Sequence, residues 1–157
     1  EARVSVGRLQ GEYLFSGLYI NELLIRLLPH EDPHPSLYQA YENLVMKLLG
    51  ATDLEPVLRE FEFLLLEELG YGIELEFDAE AGTAIMGSQL YCYLPETGLV
   101  PFRPDFQKLP TYRGDCLLAM SAGRYDEEVR ISAKRLLRQA LSAQLGDKPL
   151  NSRALFA

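Results

Sequence analysis

One arginine stands in unusual company. Arg59 lies within Asp53–Gly72, a stretch whose spacing predicts a helix. At 100° per residue, Val57, Leu58, Phe61, Leu65 and Leu69 fall on one side, Phe63 and Leu66 on the other, and Arg59 projects between them. A guanidinium can fork onto a carboxylate while neighbouring apolar groups hold a hydrophobic side chain, so Arg59 with Phe63 and Leu66 would suit a peptide end that is both anionic and apolar. A second reading stands beside it. Glu55 lies four residues before Arg59 and Glu62 three after, which is the spacing of a surface ion-pair cluster, and Phe63 could pack under a neighbouring helix. Spacing alone leaves both open.

A second cationic group lies near the end of the chain. Arg130, Lys134 and Arg138 recur every four residues, Arg135 sits beside them, and Lys148 and Arg153 follow. Val129, Leu136, Leu137 and Ala140 form the opposite stripe. The cations are either a solvated face or a set of phosphate contacts. No aromatic residues interleave with them, so base stacking is not indicated. Charge is unevenly spread to match: the chain carries −8, yet residues 124–157 hold seven basic and four acidic groups, a balance of +3, while residues 1–123 stand at −11. Contact with phosphate would therefore fall to the C-terminal quarter.

Other chemistry is poorly supported. His30 and His34 flank Pro33, which breaks the helical geometry that would put both rings on one face, and no third ligand accompanies them, so no metal site is expected. Cys92 and Cys116 form no paired motif, and free thiols of a cytoplasmic protein are the expectation. The chain lacks a nucleophile elbow, a phosphate-binding glycine loop and a zinc-protease motif. Its many carboxylates are scattered round helices rather than convergent. Neither an enzyme nor a cofactor is expected.

The elements that must position these residues can be read from periodicity and punctuation. Residues 14–28 form an almost continuously apolar helix, expected to be buried between others. His30–Pro35 breaks it, Ser36 caps a second helix reaching about Leu49 and ending at Gly50, and the Arg59 helix follows, with Asp53 as N-cap and Pro56 in its first turn. Ile73–Phe77 alternates apolar and acidic residues like a half-exposed strand, and QLYCYL–PETG–LVPF reads as a hairpin. Residues 101–114 look irregular. Asp115–Ala122 is a short helix, and Asp126 caps a long one from Glu127 to about Leu145, closed by Gly146. The fold expected is mainly α, a helical bundle with a small β-hairpin insertion at about residues 73–102. Its 157 residues suffice for one domain, and no run of about 18 apolar residues would span a membrane.

Three segments, Phe15–Leu24 (FSGLYINELL), Arg59–Gly72 (REFEFLLLEELGYG) and Gly146–Phe156 (GDKPLNSRALF), resemble the bacterial recombination mediator family RecO, in the family's order. The resemblance implies a helical domain over residues 14–157, with residues 1–13 as the connection from a missing N-terminal OB-fold barrel. With only the hairpin around Cys92 where many members carry four cysteines, the chain is similar to the branch without zinc. The resemblance further implies a repair adaptor that binds the acidic, Phe-terminated tail of single-strand-binding protein (SSB), and that supports strand annealing and RecA loading with RecR. In that setting Arg59 would receive tail carboxylates, with Leu58, Phe63 and Leu66 as pocket walls. Arg130, Lys134, Arg135, Arg138, Lys148 and Arg153 would touch single- or double-stranded DNA, mainly in the full-length protein. A generic helical protein-interaction module and a small-molecule enzyme are the alternatives.

Overall fold

The apolar periodicities of the first half become three helices. The computed structural model describes residues 12–28, 34–50, 53–146 and 150; α1 spans Glu12–Leu27, α2 Pro35–Gly50 and α3 Glu55–Glu68. Two more helices follow, α4 at Gly114–Ser121 and α5 at Glu127–Leu145. The bounds of α5 are those its caps dictate. Asp126 Oδ1 accepts the Val129 N–H at 2.9 Å, and Gly146, at φ 75°, turns the chain out of the helix with a backbone sign that suits glycine. At the start of α3, Pro56 occupies the first turn as expected, but the N-cap is Leu54, without a side-chain cap. Asp53 stands one residue earlier and is engaged elsewhere.

A small sheet separates α3 from α4. β1 (Leu90–Leu94) and β2 (Gly98–Pro101) form the expected hairpin, antiparallel, with Cys92 opposite Val100 and Tyr93 opposite Leu99. A third strand, β3 (Tyr112–Arg113), pairs with the other edge of β1 and emerges from the stretch read as irregular. Two residues are too few to show an alternation, so periodicity could not reveal it. The protein is thus mainly α with a small antiparallel sheet. Gly114 joins β3 to α4 against the backbone of the preceding turn: a Cβ there would lie 1.9 Å from the Met86 carbonyl oxygen.

The core forms where α3 packs between α2 and α5, and α5 also covers α4 and β1. Leu65, Leu66, Ala133, Leu136 and Leu137 are wholly buried there. Tyr112 ties the sheet to α5 by donating to Gln139 Oε1 at 2.5 Å. Cys92 and Cys116 are free and buried, in β1 and α4.

Three expectations need correction. The first helix is not buried all round, because Leu18 and Ile25 are exposed while Ile20 and Leu23 are sealed; it lies on the bundle rather than inside it. Ile73–Phe77 is not a ladder strand. Its alternation survives as half-buried Ile73 and Leu75 against exposed Glu74 and Glu76, but only Phe77 bridges, to Ala84. An extended backbone suffices for the period-2 pattern; a strand also needs a neighbour. Finally, α3 does not have two apolar faces. Leu58, Arg59, Phe61, Glu62, Leu65 and Leu66 are buried as one broad arc, with Glu62 near its centre.

Candidate functional site around Arg59 and the last helix

A carboxylate on the buried side of a helix needs compensating partners, and three helices supply them. Glu62 is 2% exposed and Arg59 6%. Arg59 Nε stands 2.8 Å from Glu62 Oε1, yet the N–H is not directed along that line and neither atom completes a hydrogen bond; the contact is an ion pair set by proximity. From α1, the Tyr19 hydroxyl donates a short hydrogen bond to the other oxygen, Oε2. Burial pushes the Glu62 carboxyl above the usual range. Arg59 opposes that most strongly, then Tyr19, then Lys134 and Arg138 on α5. So, at the junction of α1, α3 and α5, one cation and one phenol touch the Glu62 carboxylate, and Lys134 and Arg138 act on it from farther off.

Burial makes this junction more than a surface ion pair. Exposed pairs are screened by water and contribute little. Here removal of one partner leaves the other charged inside the protein, which is costly. Arg59 is therefore held in place by the fold. The apolar residues grouped with it in sequence separate in space: Leu58 and Leu66 are core residues, so they are not accessible pocket walls. Phe63 is half-buried and lines a different cleft, together with Glu60 and Glu67. The signal that could have separated them is Glu62 itself, at 40° from Leu58, since a buried arc spanning Leu58 to Leu66 must contain it.

The cations of α5 also divide. Lys134, Arg135 and Arg138 are exposed. Arg130 differs from them in being engaged within the protein. Its two terminal nitrogens fork onto Asp53, Nη1 to Oδ1 at 2.7 Å and Nη2 to Oδ2 by a shorter contact. Its Nε donates to the Tyr125 carbonyl at 3.1 Å. The fork joins the start of α5 to the chain entering α3. It holds the Asp53 carboxyl below the usual range, an effect that Arg130 dominates. Lys148 and Arg153 lie outside the described residues, as does His30. His34 Nδ1 stands 3.7 Å from Glu68 Oε1, and no group of three metal-ligating side chains occurs among the described residues.

A second cleft, of about 270 Å³, opens between α1 and α2. Leu24, Ile25, Leu28, Leu37, Tyr38 and Tyr41 line it. Nothing in the spacing of either helix alone pointed to it, because its walls come from both helices. Tyr41 fixes their separation by donating to Asn21 Oδ1 at 2.9 Å.

Comparison with known proteins agrees with this architecture. Residues 8–154 match the family model for the C-terminal part of recombination protein O. Curated relatives described as DNA repair protein RecO include one from Stutzerimonas stutzeri (strain A1501), 47% identical over 152 residues, covering 94% of this chain and 62% of the relative. Another, from Pseudoalteromonas atlantica, is 40% identical over 149 residues, covering 95% of this chain and 62% of the relative. A third, from Methylococcus capsulatus, is 43% identical over 150 residues, covering 95% of this chain and 61% of the relative. The chain thus spans about three fifths of the length of the curated relatives it matches.

Proposed function

The chain belongs to the RecO family, through the part that the family model describes as recombination protein O C terminal, and from that premise we propose that it is the helical domain, residues 14–157, of a DNA repair and recombination mediator. It works by binding, not by turnover. It receives the acidic C-terminal tail of single-strand-binding protein, and with RecR it supports strand annealing and RecA loading.

The observation that carries this reading is the exposed cationic face of α5, Lys134, Arg135 and Arg138, on the helix that packs against the α3 of the buried Arg59–Glu62 pair. Lys134 and Arg138 are exposed to meet an arriving carboxylate. Arg59 acts from behind them. Because Leu58 and Leu66 are sealed, the terminal aromatic ring goes instead to the cleft between α1 and α2. Its lining is mostly apolar, and Leu24 lies five residues along α1 from Tyr19, an axial rise of roughly 7.5 Å and about 140° round the helix. DNA phosphates meet Lys134, Arg135 and Arg138, joined by Lys148 and Arg153.

Titration of a fluorescent acidic peptide ending in Phe, with and without that residue, tests the reading. Binding in the micromolar range, roughly −8 kcal/mol, is expected, weakened by removing the Phe and by Lys134→Ala with Arg138→Ala. Equal binding by both peptides would exclude the apolar half of the receptor.

A further inference from the structure

The cleft that Phe63 lines has its own character. Its volume is about 430 Å³. Half-buried Phe63, Ile73 and Leu75 give it an apolar floor, with Met120 sealed beneath, and Glu60, Glu67 and Glu74 give it a carboxylate rim. None of those three carboxylates has an ion-pair partner within 4.0 Å among the described residues. Met120 and Ser121 stand at the C-terminal end of α4, and Glu67 is next to last in α3. The cleft therefore runs along the flank of α3 to the last turn of α4. Residues 55–80 carry nine acidic groups and one basic, so this segment alone holds a charge equal to that of the whole chain.

One wall of the cleft, Tyr125, is half-buried. The Tyr125 phenol is pushed up to about 12, first by burial and then by the Glu60 carboxylate. A lone surface carboxylate in open water would be screened. These three, which rim one open depression, sum at a single place and so attract a cation more strongly than any one of them alone. Apolar floor, negative rim and concavity together define the complement.

We propose that this cleft is a docking groove for a basic, partly apolar peptide segment of a partner protein, whose aliphatic side chains lie on Phe63, Ile73 and Leu75 while its lysines or arginines reach Glu60, Glu67 and Glu74. The groove is separate from the cationic junction, so one domain would hold an acidic segment and a basic segment at different places. Its geometry stands whether or not the junction binds an acidic tail.

The test is fluorescence anisotropy with a short labelled peptide alternating arginine and leucine, titrated with the 157-residue protein. Two triple variants are compared. Glu60→Gln with Glu67→Gln and Glu74→Gln empties the rim; Glu42→Gln with Glu96→Gln and Asp105→Asn removes the same charge from exposed positions elsewhere. The rim variant should weaken binding about tenfold or more, and the control by less than about twofold. A peptide with serine for leucine should bind as weakly to wild type as the original does to the rim variant. Equal loss in both triples would reduce the effect to diffuse charge and overturn the groove, as would absence of binding to wild type. Self-association of the protein that the rim variant abolishes would assign the groove to a second copy and overturn the partner.

Discussion

Arg59 and Glu62 lie one turn apart on α3 with Nε and Oε1 separated by 2.8 Å, and both side chains are inside the protein. A pair so placed is costly to break from one side only. Arg59→Ala should lower unfolding stability by about 3–5 kcal/mol, because it leaves Glu62 buried without its principal cation. Arg59→Met combined with Glu62→Leu should cost far less, and could equal wild type. Urea denaturation of both variants separates the outcomes; equal losses would mean that the pair is not mutually dependent.

The pH dependence of stability follows from the same carboxyl. Its pKa in the folded protein is raised above the ordinary 4.5. Such a group binds its proton more tightly when folded, so stability falls as pH rises from the unfolded value through the folded one. Asp53, held low by Arg130, contributes in the opposite direction, its share being lost as pH falls. Melting temperatures of wild type and Glu62→Gln across the acidic to neutral range should diverge, the difference growing in favour of Gln as pH rises. Parallel curves would count against a raised Glu62.

Arg130 and its neighbours on α5 should separate by phenotype. Arg130→Ala removes the fork to Asp53 and should lower the melting temperature, with the loss shrinking at high salt. It should leave DNA affinity nearly unchanged. Electrophoretic mobility shifts beside thermal melts provide the comparison, and a large affinity loss in a fully folded Arg130→Ala protein would return it to the DNA surface.

The exposed trio has a quantitative signature. Each phosphate neutralised contributes about 0.9 to the slope of log affinity against log salt on duplex DNA. Charge removal at Lys134, Arg135 and Arg138 together should flatten that slope by roughly 2–3 in the full-length protein. An unaltered slope would make the trio merely a solvated face.

Gly114 is required by contact rather than by backbone sign. With a Cβ only 1.9 Å from the Met86 oxygen, Gly114→Ala must move backbone, and a loss of about 1–3 kcal/mol or more is expected by chemical denaturation. Gly70→Ala is a different case: its φ is 89° with open space around the position, so strain alone would act.

How far the sequence could be read depended on the range of the interaction. α5 was legible to the residue because Asp126, its apolar stripe and Gly146 are all local. The hairpin was legible for the same reason. The destination of Arg130 was not, because Asp53 lies 77 residues away and no local rule joins them. β3 was invisible because two residues carry no period. In α3 the helix was legible, but its buried arc was misdivided: charged residues were counted as outside, while Arg59 and Glu62 neutralise each other and go in together. The junction was half seen, through Arg59; its completion by Tyr19, 43 residues from Glu62, is a product of packing.

The two buried cysteines make the molecule a recorder of its own opening. Cys92 is 0% exposed in β1 and Cys116 3% in α4, and burial pushes both thiols upward, so neither offers a reactive thiolate while the fold is closed. Alkylation must wait for an excursion that uncovers the sulfur. Because one thiol belongs to the sheet and the other to a helix, they are two clocks running in one molecule. If they tick together, the sheet and the bundle open as a single unit; if one runs faster, the protein has a softer half.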